Sequence, residues 1–368
     1  MPEKTAFIFK QGRKSRLYND SSLDKFPTEF FYGYIQLRNQ GLPIEMIDEE
    51  DLNINLKANL FMRTCSHYAY SLFGLHFQTL LCLFNRKNLL KLNQFSTLVV
   101  TTNTLGLAFS FMKKLGVLKP KVVFIGMGLS DLTNNIVRKW SLGRLLSAVR
   151  TLVISRSELE HLRHTWRSSS NIEFHYIPFG VDHQFWIPKN SPEDSNNSYI
   201  LTIGNDLNRD YKTLVSAWKS KYPKLKIVTN LPISSENSNI EIISGDWRKQ
   251  LLSDQQMLEL INNAMFVVLP ISPTLQPSGQ SVCLQSMSCS KAVILSNIKG
   301  IWDKELLIDD RNIKLIPCND SGSLSFTIEY FLSNHDYVNS LGIEANKTVQ
   351  KHFSVEKMAN SIKNHICL

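Results

Sequence analysis

A polar turn that opens a helix offers the clearest chemistry in this sequence. Residues 276–281 read Gln-Pro-Ser-Gly-Gln-Ser, and they lead into one helix and then a buried strand. Such a turn leaves backbone N–H groups free at the helix N-terminus, where the helix dipole adds partial positive charge. Ser278, Gly279, Gln280 and Ser281 therefore form a candidate cradle for a phosphate or diphosphate. The alternative is that Ser and Gly serve only to cap the helix.

Two basic residues follow a different strand of the same half. An apolar strand ends at Gly204, and the loop behind it carries Arg209 and Lys212 ahead of an amphipathic helix. Ligands of open α/β sheets bind outside the carboxyl ends of the strands. We therefore expect Gly204, Arg209 and Lys212 to lie at a ligand site. The alternative is an exposed Arg and Lys on a loop that leads into a helix.

Three ordered motifs resemble the nucleotide-sugar glycosyltransferases of the GT-B fold, and most closely the large retaining group called family four. They are Ile177–Asp182, the strand, glycine and basic loop around Gly204, and Ser278-Gly279 ahead of residues 285–293. Their order and spacing fit over residues 176–300, whereas the first half matches only in general pattern. The resemblance implies transfer of a sugar from a nucleotide diphosphate sugar, with retention, to a saccharide or lipid-linked acceptor.

In that family a pair of basic residues neutralises the donor diphosphate and stabilises the leaving nucleotide without a metal. The resemblance thus implies catalytic roles for Arg209 and Lys212, and we prefer Arg209. Asn205 stands at the usual Arg position, and Arg209 is displaced by one residue from the usual Lys. The sequence contains no Asp-x-Asp pair, so no metal is expected, and no cofactor is implied besides the donor itself.

The family also carries two Glu residues eight positions apart, the second of which binds the ribose hydroxyls. Aligning residues 286–289 with the family pattern puts Gln285 at the second Glu and Pro277 at the first, unless a one-residue insertion brings Gln276 into that place. A glutamine can still accept a hydrogen bond from a ribose hydroxyl through its amide oxygen. Because both carboxylates are absent, the first alternative is a catalytically weakened sugar-nucleotide-binding or partner subunit of the same fold.

The remaining donor contacts that the resemblance implies follow three other strands. Gly12 and Arg13 follow the first strand, where the family has a Gly-rich loop. Gly128 follows a buried strand of the first half, at a position near which many family members have an active-site histidine and this chain has none. Asp246 and Trp247 follow a strand of the second half, where such enzymes contact the base, although a simple turn fits equally well. The family does not require a protein base, because the donor phosphate can take the acceptor proton.

Composition describes an ordinary globular protein of two domains. The chain has 368 residues, with 43% hydrophobic and 20% charged residues, which is longer than one core usually serves. No apolar run is long enough for a membrane-spanning helix, and the N-terminus has no secretory pattern. The six cysteines lack metal-ligand spacing, so we expect reduced core thiols and a cytoplasmic location. His67 and His76 lie on an apolar helical segment and are expected in the core.

The positive charge is confined to the first half. Residues 1–185 hold 23 Lys and Arg against 14 Asp and Glu, whereas the remainder holds 18 of each. Arg63, Arg86, Lys87 and Lys91 flank the aromatic segment 66–84. These charges fit an anionic membrane surface, an anionic acceptor or nucleic acid, and a solvated basic face explains them equally well. A nucleic-acid-modifying glycosyltransferase is the second alternative, ranked lower because no aromatic stacking pattern accompanies the basic residues 13–16.

Strands alternating with helices predict an α/β fold of two doubly wound, Rossmann-like domains that face a central cleft. The first half reads as strands at 5–9, 44–47, 96–101, 121–125 and 151–154, with helices at 28–40 and 66–84. We predict an N-terminal domain 1–186, a linker 187–198 rich in Pro, Ser and Asn, and a nucleotide-sugar-binding domain 199–352. The segment 353–368 forms a final amphipathic helix that could cross back to the first domain.

Overall fold

A computed structural model describes residues 4–19, 26–54, 60–169, 171–189, 199–244 and 252–367. The chain forms two compact units. Unit 1 consists of Met1–Leu23, Phe31–Pro178 and Met358–Leu368, and unit 2 of Asp24–Phe30 and Phe179–Lys357. A short segment from early in the chain therefore belongs to unit 2. Most of the predicted linker, residues 190–198, lies outside the described residues.

Unit 1 contains a six-stranded parallel sheet. Its strands are β1 Thr5–Phe9, β2 Ile44–Asp48, β3 Thr97–Val100, β4 Lys121–Gly126, β5 Arg150–Val153 and β6 Glu173–Tyr176. The order in the sheet is β2-β1-β3-β4-β5-β6, so the direction of winding reverses between β1 and β3. Every residue of β1 and β3 is buried, which explains their unbroken apolar character.

The helices of unit 1 cover this sheet. They are α1 Arg13–Asn19, α2 Tyr34–Asn39, α3 Leu60–Phe73, α4 Phe77–Leu83, α5 Arg86–Leu92, α6 Asn103–Lys114, α7 Ile136–Leu146 and α8 Arg156–Thr165. The helix α6 packs directly on β4. Gly106 lies so close to the ring of Phe124 that a Cβ there would collide with it. Thr102 and Ser155 accept hydrogen bonds from first-turn N–H groups and so begin α6 and α8.

Two predicted helices of the first half are wrong in extent. The predicted helix 28–40 is a short 3-10 turn, Glu29–Phe31, followed by α2. Between them Tyr32 and Gly33 have φ angles of 47° and 73°, which an α-helix cannot contain. The predicted helix 66–84 is broken at Gly74, whose φ is 74°. Conversely, the polar loop expected after β1 gives way to α1 at Arg13.

Unit 2 contains a second parallel sheet of six strands. They are β7 Tyr199–Ile203, β8 Lys224–Val228, β9 Ile240–Ile243, β10 Ala264–Leu269, β11 Val293–Ser296 and β12 Lys314–Ile316. The order is β12-β11-β10-β7-β8-β9. The winding reverses between β7 and β10, and ligands of open α/β sheets bind at such a switch point.

The helices of unit 2 alternate only partly with its strands, and the last three follow one another directly. They are α9 Tyr211–Ala217, α10 Asp254–Asn262, α11 Gln280–Ser288, α12 Ser321–Ser333, α13 His335–His352 and α14 Val355–Ile366, of which α14 ends in unit 1. The rings of Phe266 and Phe331 meet edge to face at 5.1 Å in the core between β10 and α12. Among the described residues, no helix is long and apolar enough to cross a bilayer. The prediction of two Rossmann-like α/β domains is confirmed.

Candidate functional site

The loops that follow β7 and β10 meet at the switch point of unit 2. The backbone N–H of Asp210 donates to the carbonyl of Pro270 (3.0 Å), and that of Ser272 donates to the carbonyl of Asn208 (2.8 Å). The side-chain amide of Asn208 donates to the hydroxyl of Ser278 (2.8 Å). These bonds fasten the basic loop to the turn before α11, so two segments far apart in sequence form one site.

Arg209 lies at the centre of this site. Its side chain is 2% exposed, and its Nε lies 2.8 Å from Oδ2 of Asp206. A Cβ at Gly204 would collide with the guanidinium, and a Cβ at Gly279 would lie 3.2 Å from Nη1. Both glycines therefore leave the space that the guanidinium occupies. The structure thus brings together Gly204, Arg209 and Gly279, as the sequence predicts.

The N-terminus of α11 presents unpaired donors beside this arginine. Gly279 is the N-cap, with φ 78° and no side-chain capping bond. Among the described residues, none accepts a hydrogen bond from the N–H groups of Ser281 and Val282. Nη1 of Arg209 is also buried without a partner there. Buried donors of this kind are normally satisfied, so the arrangement is suited to an anion with several acceptor oxygens.

Gln285 lies on α11 and contacts a residue that the sequence did not reveal as part of the site. Its Nε2 donates to Oε1 of Glu29 (2.8 Å), and the indole Nε1 of Trp186 donates to the same oxygen (2.9 Å). Glu29 is fully buried. Burial raises the pKa of Glu29, and the hydrogen bonds from Gln285 and Trp186 oppose that rise. Trp186 is held in turn by Ser288, whose hydroxyl donates to its carbonyl (2.7 Å).

The other site residues predicted in unit 2 either lie away from the contact between Gln285 and Glu29 or fall outside the described residues. Lys212 is exposed, and it lines a shallow depression with Thr213, Ser216, Asn319 and Ser321. Within the described ranges, Lys212 forms no ion pair with an acidic side chain at the site. Ser278 and Gln280 are buried at the turn. Asp246 and Trp247 fall in the residues 245–251, which are not described.

In unit 1, Gly12 and Gly128 lie after the carboxyl ends of β1 and β4, two strands that are separated in the sheet by β3. The N–H of Gly12 donates to Oδ2 of Asp48 (3.1 Å), and no atom lies within 4 Å of a Cβ added at Gly12. The guanidinium of Arg13 lies 6.0 Å from the centre of the Phe31 ring. Open space therefore adjoins Gly12, at the end of the sheet where the sequence predicts donor contacts, although its N–H is bound by Asp48.

A buried carboxyl holds the loop at Gly128. The N–H groups of Gly128 and Ser130 donate to the two oxygens of Glu158 (3.2 and 3.1 Å). Glu158 is fully buried. Burial raises its pKa to about 7, although the backbone hydrogen bonds lower it. Glu158 therefore shapes the loop but faces inward.

The histidines and cysteines divide between core and surface. His67 is exposed, so its predicted core position is wrong. His76 is half-buried, with Nδ1 3.1 Å from the hydroxyl of Thr79. Three cysteines are buried, two are intermediate and Cys367 is exposed, and all six are free. Across the described segments, no three His, Cys, Asp or Glu residues are grouped to hold a metal ion.

Comparison with known proteins gives a clear result at the level of structure. No protein-family profile matches the chain, and no curated protein is significantly similar in sequence. Sucrose-phosphate synthase from Thermosynechococcus elongatus has a TM-score of 0.67 at 15% identity, over 99% of this chain and 98% of its own. HepE from Anabaena, solved with UDP-glucose, has a TM-score of 0.67 at 12% identity, over 99% of both chains.

A glycosyltransferase from Rickettsia africae is similar to a comparable degree, with a TM-score of 0.63 at 13% identity over 99% of this chain and 97% of its own. The similarity extends over both units. At such low identity it shows the fold alone. The chain therefore has the GT-B fold, as its ordered motifs predict.

Proposed function

We propose that this chain is a glycosyltransferase that moves a sugar from a nucleoside diphosphate sugar to an acceptor. One observation carries the proposal: the buried Nη1 of Arg209 has no partner among the described residues and lies beside Gly279, at the N-terminus of α11. A diphosphate would satisfy this donor together with the free N–H groups of α11. The complexes of HepE with UDP and UDP-glucose support a donor of this class.

The same groups account for the chemistry of transfer. Breaking the bond between the sugar and the diphosphate places negative charge on the leaving nucleotide, and a fixed guanidinium and helix N-terminus stabilise that charge. We infer that Arg209 carries this role, that Lys212 adds charge at the edge of the site, and that no divalent metal is required. Retention follows from the resemblance to family four, in which the donor phosphate takes the acceptor proton.

A surface of unit 1 supports an acceptor that is presented at a membrane. The helices α3 and α4 expose Tyr68 (62% exposed), Leu72, Phe73, Phe77 and Leu81 to solvent. Large apolar side chains exposed on two successive helices favour a binding surface there.

The helix α7 contacts α3 and exposes further apolar side chains. The hydroxyl of Ser141 donates to the carbonyl of Phe73 (3.0 Å), which joins α7 to the end of α3. Ile136 is 83% exposed and Trp140 is 61% exposed, and the guanidinium of Arg144 lies 4.9 Å from the Trp140 ring. Aromatic and basic side chains together suit the headgroup region of an anionic bilayer. We therefore propose a cytoplasmic enzyme with peripheral contact to an anionic membrane and a saccharide or lipid-linked acceptor.

The proposal can be tested by ligand binding before any acceptor is known. A nucleoside diphosphate at ~100 times its Kd should raise the free energy of unfolding by about 2.7 kcal/mol. In a thermal-shift panel of nucleoside diphosphates and nucleotide sugars, the wild type should be stabilised by at least one ligand, and Arg209→Ala should be stabilised clearly less by the same ligand at the same concentration. Lys221→Ala is the matched control, because it removes only an exposed ion pair with Glu329. A wild type that responds to none of them would overturn the proposal.

The absence of both family Glu residues favours one alternative, a subunit that binds the nucleotide sugar without transferring the sugar. Gln285 stands where the second Glu is expected. Release of free nucleoside diphosphate that depends on an added acceptor would establish transfer. Binding of the nucleotide sugar without such release, across a panel of saccharide and lipid-linked acceptors, would favour the binding subunit.

A further inference from the structure

A buried carboxylate from early in the chain contacts the α11 helix of unit 2. Glu29 belongs to the segment Asp24–Phe30, which is part of unit 2. Its Oε1 accepts from Nε2 of Gln285 and from Nε1 of Trp186, and its Oε2 accepts weakly from the N–H of Asp182 (3.4 Å). All of these contacts lie within one compact unit. They leave Glu29 with protein donors on both of its oxygens.

The contacts fix which way the amide of Gln285 points. An indole N–H can only donate, so Oε1 of Glu29 accepts from Trp186, and as an oxygen of the carboxylate, or as the carbonyl oxygen of the acid, it has no proton to donate. Gln285 must then present its NH₂ group to the same oxygen, and its carbonyl oxygen points elsewhere. None of the described residues donates to Oε1 of Gln285, and this oxygen is not sealed from solvent.

The position of Gln285 on α11 suggests what this oxygen binds. Gln285 lies six residues after Gly279, or roughly 9 Å farther along the helix at 1.5 Å per residue. In a nucleoside diphosphate the ribose follows the diphosphate at a comparable distance. If the diphosphate lies at Arg209 and Gly279, the ribose hydroxyls come within reach of the second turn of α11.

We propose that Glu29 is a positioning residue that orients Gln285, so that the amide oxygen accepts a hydrogen bond from a ribose hydroxyl of the donor. This inference rests on the proposed function, since it assigns a role at the same donor site. It also explains why position 285 holds no carboxylate. A Glu there would place a second acid within hydrogen-bond distance of Glu29, and two such carboxylates cannot both be ionised without a large cost.

A merely structural role for Glu29 is the competing explanation. The same segment is anchored by Thr28, whose N–H and hydroxyl both donate to Oδ2 of Asp182 (3.2 and 2.7 Å). Thr28→Val removes the hydroxyl bond without touching Gln285. This variant is therefore the matched control for loss of anchoring alone.

The test compares ribonucleotides with their deoxy forms. Kd is measured by calorimetry for UDP, ADP and GDP, and for the 2′-deoxy and 3′-deoxy forms of the tightest ligand. The wild type should prefer the ribonucleotide over one deoxy form by on the order of tenfold, the usual worth of one hydrogen bond. Gln285→Ala and Glu29→Leu should each abolish that preference. Glu29→Gln retains an acceptor oxygen and should keep most of it, and Thr28→Val should keep all of it.

The outcomes separate this inference from the function on which it rests. A wild type that binds none of the nucleoside diphosphates overturns the proposed function. A wild type that binds ribo and deoxy forms equally, or a Glu29→Leu variant that keeps the preference, overturns the role of Glu29 alone. An equal loss of preference in Thr28→Val would show anchoring rather than orientation.

A second variant serves if Glu29→Leu does not fold. Gln285→Glu has nearly the same size and creates a carboxyl pair with Glu29. Its affinity for the same nucleotide, relative to the wild type at each pH, should fall between pH 5.5 and pH 8 as the shared proton is lost. A ratio that stays constant with pH would contradict a direct Glu29–Gln285 contact in solution.

Discussion

Replacing Arg209 by alanine tests the donor site most directly, and the structure gives the size of the effect. The guanidinium is almost fully buried, so solvent screens its attraction to a phosphate less than at a surface pair. A hydrogen bond to a charged group contributes about 1.5–3 kcal/mol. Arg209→Ala should therefore weaken binding of a nucleoside diphosphate by about tenfold to 150-fold. If transfer is measured, kcat/KM should fall by about 30-fold to 1,000-fold.

The geometry also predicts the result of Arg209→Lys. In the wild type Nε lies 2.8 Å from Oδ2 of Asp206, whereas Nη1 has no partner in the described part of the chain and lies beside Gly279, where we propose that the diphosphate binds. A lysine has a single nitrogen at its tip and cannot replace both contacts. We expect Arg209→Lys to recover only part of the lost affinity, with the missing part visible as a larger Kd in the same calorimetric titration.

The thermal stability of Arg209→Ala, with and without nucleotide, tests the same assignment of Arg209. A buried guanidinium with an unpaired nitrogen carries a desolvation cost when the ligand is absent. Ligand-free Arg209→Ala should therefore unfold at a temperature no lower than the wild type, whereas its stabilisation by nucleotide should be smaller, as its weaker binding requires. Unchanged affinity in a folded Arg209→Ala variant would refute the assignment of the diphosphate to this residue.

Three further predictions concern the metal, the membrane and pH. Transfer should persist in EDTA, because Arg209 and the α11 N-terminus supply the positive charge; complete loss that manganese or magnesium restores would contradict this. Co-sedimentation with liposomes should rise with anionic lipid and fall at high salt. Changing Arg86, Lys87 and Lys91 together to Glu should abolish it without altering nucleotide affinity. Equal sedimentation with neutral and anionic lipid would reject the proposed membrane contact. Burial raises the pKa of Glu158 from 4.5 to about 7. Its contribution to the free energy of unfolding is therefore full below pH 4.5 and is lost as pH rises through 7, and this loss amounts to about 3 kcal/mol. Urea unfolding should show Glu158→Gln losing less stability than the wild type between pH 5 and pH 8; equal slopes would contradict it.

Local patterns predicted the parts of the site that are local in sequence. The apolar strand ending at Gly204 and the turn at Gly279 were both visible, because strand ends and helix starts have short-range signals. The rule that ligands bind at the carboxyl ends of strands predicted Arg209 at the same site, and in the structure its guanidinium lies beside both glycines. The break of the predicted helix 28–40 at Gly33 has no local signal, because the residue that lies against Gly33 is distant in sequence. A Cβ at Gly33 would lie 2.6 Å from Cα of Ala359.

Glu29 could not be found in this way. It lies 256 residues from Gln285 in sequence, and it is surrounded by aromatic residues that predict an ordinary buried helix. The only signal was a single acidic residue in an otherwise apolar segment. Buried carboxylates are rare unless they are hydrogen-bonded, so such a residue indicates a partner but does not identify it.

Asn205 shows why the departure from the family pattern at the basic loop does not remove the charge from the site. The resemblance implies an Arg directly after Gly204, and Asn205 stands there instead. In the structure its Oδ1 accepts from the N–H of Asn230 (2.6 Å) and from the hydroxyl of Thr229 (3.1 Å), so it joins the ends of β7 and β8. The guanidinium of Arg209, four residues later, folds back against Gly204. A cation thus occupies the space beside the strand end although it comes from a different position in the chain, and an alignment of residues alone would count it as lost.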